Sequence, residues 1–134
     1  QVFTDGLVTA LELSKYSNIE ATMIGGQINT DSVRSSGFKV FEELNKLHFD
    51  FSFLGTDAYR PDFGFVCCSA HAAALFQTLI ERSDKTVVLM DSSKVDAIRA
   101  ARSIPTNQVD IVVSDGGLSN ATAKALSQAG VMLL

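Results

Sequence analysis

The chain has 134 residues, 46% hydrophobic and 19% charged, which fits one globular domain able to bury a core. The formal net charge is −4 and the isoelectric point about 5.0, so these residues lack the basic face that a nucleic-acid backbone requires. No apolar run approaches a membrane span, no secretory-signal pattern opens the chain, and the adjacent Cys67 and Cys68 suit neither a mutual disulfide nor zinc.

Residues 1–4 read as a strand broken by Asp5 and Gly6, and Leu7, Ala10, Leu11 and Ser14 then follow helical spacing to about Tyr16. Residues 21–24 form a short strand stopped by Gly25 and Gly26, followed by a polar loop. Val40, Phe41, Leu44 and Leu47 mark one face of a second helix. Phe49, Phe51 and Phe53 alternate with Asp50 and Ser52, which predicts a strand with the phenylalanines in the core. It stops at Gly55, Thr56 and Asp57, and a loop containing Pro61 and Gly64 is expected next. Ala72, Phe76, Leu79 and Ile80 mark a third helix. The unbroken apolar run at 86–90 suits a strand buried on both faces. Val95, Ile98 and Ala101 predict a helix, and 109–113 another strand. Ser119 can cap a last helix built on Thr122, Leu126 and Ala129, which Gly130 ends before a final strand at 131–134. This alternation predicts an α/β fold, a mostly parallel sheet with helices on both faces.

The strands end in polar or glycine-rich turns: Thr4, Asp5 and Gly6; Gly25 and Gly26; Gly55, Thr56 and Asp57; Asp91, Ser92, Ser93 and Lys94; Ser114, Asp115, Gly116 and Gly117. In a parallel sheet such turns share one rim, where ligands bind. Helix starts there favour anions, and Lys94 would add a positive charge. The same residue types are also ordinary turn and cap residues, so Asp91 or Ser92 can serve as an N-cap and nothing more. Neither glycine turn matches a dinucleotide fingerprint or a P-loop. His48 and His71 form no catalytic set by spacing, and two reduced thiols suit a cytoplasmic protein.

Five blocks in order carry a family resemblance: "VFTDGLVTALEL", "IEATMIGGQINTDSVRSSG", "LHFDFSFLGTDAYRPDFGF", "LIERSDKTVVLMDSSKV" and "VDIVVSDGGLSNATAKALSQAGVMLL". Together they resemble the effector-binding domain of the DeoR family of bacterial sugar-metabolism repressors, across nearly the whole chain. The fourth block, ending in "DSSK", is similar to the family's D-x-S-K segment.

The resemblance implies the fold of ribose-5-phosphate isomerase, glucosamine-6-phosphate deaminase and CoA-transferase. It implies a phosphorylated-sugar effector, no cofactor, no metal and a homo-oligomer. Carried onto this chain, the binding turns would be Thr4, Asp5 and Gly6; Gly55, Thr56 and Asp57; and Ser93 and Lys94, with Lys94 placed for a phosphate or a sugar hydroxyl. Residues 1–134 would then be an effector-binding domain lacking the family's first strand–helix unit, with its phosphate loop, and the N-terminal winged helix-turn-helix that grips operator DNA. The related enzymes use a general base on the helix after the Gly64 loop. No carboxylate occurs between Gly64 and Ile80, so no enzymatic activity is expected.

Overall fold

The computed structural model describes residues 1–67, 69–97 and 102–134. They fall into two compact units, Gln1–Leu47 and His48–Leu134, each taken here by itself.

In Gln1–Leu47, β1 (Val2–Thr4) and β2 (Ala21–Met23) pair in parallel, joined through α1 (Leu7–Leu13). The segment after Gly26 is not a loop but an antiparallel hairpin, β3 (Gln27–Asn29) with β4 (Arg34–Ser36). Its turn is closed by the Asn29 side-chain oxygen, which accepts from the Asp31 and Ser32 amides at 3.0 and 3.1 Å. Three-residue strands made largely of polar residues carry no alternation, which is why the pattern concealed them. Helix α2 (Phe38–Leu44) buries Val40 and Leu44, four residues apart on one face as expected. Ile24 and Ser35 are buried in the same unit, and the Ser35 hydroxyl donates to the Ile24 carbonyl.

His48–Leu134 contains β5 (Phe49–Gly55), β6 (Ala58–Arg60), β7 (Gly64–Cys67), α3 (Ala70–Glu81), β8 (Ser83–Leu89), β9 (Arg102–Ile104), β10 (Ile111–Val113), α4 (Asn120–Gln128) and β11 (Met132–Leu133). A four-stranded sheet runs in the order β11-β10-β8-β5, parallel throughout. The stretch expected as a loop around Pro61 and Gly64 is an antiparallel sheet in the order β6-β7-β9. Gly64 makes it possible. Its φ is +97°, and a Cβ there would lie 2.2 Å from the Ile104 carbonyl oxygen.

The core unites Phe76 and Ala73 of α3, Val88 and Val112 of the parallel sheet, Leu126 of α4, and Tyr59, Phe65 and Ile104 of the smaller sheet. Both helices start on serine caps. Ser69 Oγ accepts from the Ala72 amide at 3.0 Å and Ser119 Oγ from the Thr122 amide at 3.1 Å. Thr86, Val87, Val88 and Met90 are buried, as the apolar run at 86–90 predicts, but Leu89, the last residue of β8, is 46% exposed, so the expected burial on both faces does not hold at the strand's end. The fold class expected from sequence, a mostly parallel α/β sheet flanked by helices, is the one observed.

Two further expectations are corrected. Phe51 and Phe53 are 53% and 65% exposed, whereas Ser52 between them is buried. Alternation does place the phenylalanines on one face, and their rings stack with centroids 6.3 Å apart. The strand is at the sheet edge, and the face that packs into the core is the one bearing Ser52 and Leu54. Second, the helix expected from Val95 does not begin there. Ser92–Lys94 form a single 3-10 turn, Val95 is extended and bridges Tyr59, and Asp96 takes a positive φ of 56° that no α-helix accommodates. Ile98 and Ala101 lie outside the described residues. Cys67 is buried and in no disulfide among the described residues, and Cys68 also lies outside them.

Candidate functional site

Strands β5, β8 and β10 are parallel and in register, so their C-terminal ends lie level. Gly55 is opposite Leu89, and Leu89 is opposite Val113. The chain leaves these strands at Thr56, Met90 and Ser114. At the ends of β8 and β10 an open cleft of about 410 Å³ is lined by Leu89, Met90, Asp91, Lys94, Val113 and Ser114. Two aliphatic side chains and a thioether thus meet a carboxylate, an ammonium and a hydroxyl in one place.

The turn after β8 organises these groups. Asp91 caps it: its Oδ1 accepts from the Ser93 amide at 2.9 Å and from the Ser93 hydroxyl. The Ser93 hydroxyl, and next its backbone N–H, hold the Asp91 carboxyl below the usual carboxylate range. The nearby Lys94 charge lowers it further. The Lys94 amide closes the turn on the Asp91 carbonyl at 3.1 Å. Lys94 is only partly exposed, and its ammonium makes no salt bridge or side-chain hydrogen bond among the described residues. It is therefore a cation available to an anion in the cleft.

The turn after β10 bonds to the turn after β8. Asp115 accepts from the Ser92 amide at 3.0 Å, from the Ser92 hydroxyl at 3.2 Å and from the Gly117 amide at 3.3 Å. Gly117 approaches Ser92 so closely that a Cβ would lie 2.4 Å from Ser92 Oγ.

Of the residues expected from sequence, Lys94 lines the cleft and Ser93 fixes the acid beside it. Gly55 ends the strand next to the cleft, level with Leu89. The Thr56 hydroxyl is taken up locally, bonding the Ala58 and Val66 carbonyls at 2.7 and 3.0 Å, and Asp57 is exposed with its amide on the Val66 carbonyl. Thr4, Asp5 and Gly6 belong to the Gln1–Leu47 unit. There Thr4 Oγ1 accepts from the Gly6 amide at 3.1 Å, and Asp5 pairs with Arg34 at 2.9 Å. His48 forms an exposed pair with Asp84 at 2.8 Å. Sequence reading placed Asp91 and the 114–117 turn at a strand end but did not assign Ser114 or Asp115 to the site. The signal was present in "SDGG", since an acid before two glycines suits a tight, bonded turn. Among the described residues no helix is long and apolar enough to cross a membrane, and no His, Cys, Asp and Glu cluster could hold a metal.

Known proteins share this sequence pattern. The family described as "DeoR C terminal sensor domain" matches residues 1–116. The chain is 27% identical over 130 residues to the HTH-type transcriptional regulator GolR of Listeria innocua, covering 97% of this chain and 51% of that protein. It is 28% identical over 131 residues to a putative aga operon transcriptional repressor of Escherichia coli O157:H7, covering 98% and 49%. It is 23% identical over 133 residues to the HTH-type transcriptional repressor GlcR of Bacillus subtilis, covering 99% and 51%. The chain thus spans about half the length of the curated relatives it matches. With that family matching residues 1–116 of its 134, the chain belongs to the DeoR C-terminal sensor domain family.

Proposed function

We propose that this domain senses a phosphorylated sugar on behalf of a transcriptional regulator, with the cleft at the ends of β8 and β10 as the effector site. Lys94 carries the reading. It is a cation without a salt-bridge partner among the described residues, in a cleft at the carboxyl ends of parallel strands. A lysine ammonium serves phosphate as a point charge. Asp91, Ser93 and Ser114 beside it, with Gly55 and Asp57 at the neighbouring strand end, offer acceptors and donors to sugar hydroxyls.

On this reading the full-length protein carries a winged helix-turn-helix and a first strand–helix unit outside these residues. It acts in the cytoplasm as a homo-oligomer, and the effector alters its affinity for operator DNA. Relatives of twice this length bear HTH-type names, which supports the division of labour. An isomerase or deaminase role is disfavoured because 64–80, which includes most of α3, offers no carboxylate as general base. The test is operator affinity of the full-length protein, measured by anisotropy with and without a panel of sugar phosphates and their parent sugars. One phosphate ester should change the affinity while its parent sugar does not. Indifference to the whole panel would overturn the reading.

A further inference from the structure

We infer that Asp115, which touches no part of the cleft itself, is a positioning residue for it: through Ser92 it fixes the 91–94 turn and so sets where Lys94 stands. This rests on the reading of the cleft as the effector site. The turns after β8 and β10 are separate loops, 23 residues apart in sequence at their bonded positions. A shared lining requires that the two hold a constant spacing; the Met90 amide joins the strand ends on the Val113 carbonyl at 3.1 Å, and beyond it the turns themselves are tied by the hydrogen bonds that Asp115 accepts. One carboxylate oxygen accepts from the Ser92 amide at 3.0 Å and the other from the Ser92 hydroxyl at 3.2 Å, so Ser92 is gripped at two atoms. Gly117 completes the fit. Its amide donates to the same carboxylate at 3.3 Å, and its missing Cβ leaves the space that Ser92 Oγ occupies.

The turn is short, and nothing in it can relax independently. Ser92 is its first residue, Ser93 is bonded to Asp91, and Lys94 is its last. Moving Ser92 therefore moves the cleft-lining Asp91 just before it and Lys94 two residues after it. Two ends of one sheet are coupled by a single acid that need not contact ligand.

The experiment compares Asp115→Ala, Asp115→Asn and Gly117→Ala in the full-length protein. Amide hydrogen exchange is read at residues 92–94, thermal midpoint is read in parallel, and affinity is measured for two probes, glucose 6-phosphate and inorganic phosphate. Asparagine keeps an acceptor for the Ser92 and Gly117 amides, and its NH₂ can donate to the Ser92 hydroxyl. Loss of charge-assisted bonds in Asp115→Ala should speed exchange at residues 92–94 and weaken probe binding, each about tenfold, with little change in thermal midpoint. Asp115→Asn should restore both to near wild type. Gly117→Ala should behave like Asp115→Ala, and adding Ser92→Ala, which removes the crowded oxygen, should recover part of the loss. Exchange at 92–94 unchanged in Asp115→Ala would overturn the inference. So would an Asn variant as impaired in binding as the Ala variant while exchange stays normal, because Asp115 would then act on ligand through its charge. If the wild-type protein binds neither probe, the sugar-phosphate reading is decided by the operator panel above, and the exchange data alone decide whether Asp115 positions the turn.

Discussion

Asp91 both caps its turn and lines the cleft. Its carboxyl accepts from the Ser93 amide and hydroxyl, which holds it charged and holds the turn that presents Lys94. A carboxylate with a depressed folded value contributes stability above the ordinary aspartate range near pH 4 and loses it as pH falls through the lower folded value. The Ser93 amide shift, followed by NMR, should therefore titrate with a midpoint below that of a free aspartate, and Asp91→Asn should abolish the titration. A midpoint at or above about 4 would contradict this assignment. Lys94 has the complementary role. Lys94→Ala removes a cation that the described residues do not pair, so it should leave the thermal midpoint of the effector-free protein nearly unchanged, as expected for a surface group within roughly 0.5 kcal/mol. A marked destabilisation would mean that Lys94 is structural.

At the scale of elements, the buried side chains of α3, β8, β10 and α4 form one cluster with those of the smaller sheet, β6, β7 and β9. Val88 is fully buried in it, so Val88→Ala should cost roughly 2–3 kcal/mol in chemical denaturation. Phe53, 65% exposed, should cost less than about 1 kcal/mol when changed to Ser, although it is the larger side chain. The reverse order would contradict the assignment of faces. Removing the α4 cap by Ser119→Ala should cost about 1 kcal/mol. These elements also differ in how far the sequence disclosed them. Thr86 to Met90 is an unbroken apolar run, and Ser119, Leu126 and Gly130 spell out a capped helix, so both were legible. Alternation at Phe49, Phe51 and Phe53 was legible as a strand, but period two names a face without saying which face the core takes. The hairpin of β6 and β7 was concealed because Pro61 and Gly64 signal a break, and its strands of three and four residues are too short to show a period. The cleft was legible at Lys94 through "DSSK", whereas Asp115 acts through a hydrogen bond between loops 23 residues apart, which no local pattern encodes.

On the function proposed above, an acidic sensor domain and a DNA-binding part share one task in different parts of the polypeptide; these 134 residues span about half of each curated relative compared. Effector affinity and operator affinity should then separate by mutation. A ligand that binds the folded domain at about a hundred times its dissociation constant stabilises it by roughly 2.7 kcal/mol, enough to read as a thermal shift. The most direct test of the central claim is an operator titration of full-length wild-type and Lys94→Ala proteins, each with and without the phosphorylated sugar that stabilises the wild type. Equal operator affinity without effector, and a response to effector in the wild type alone, is the predicted result. A variant that responds to the effector as the wild type does would contradict the assignment of this cleft as the sensing site.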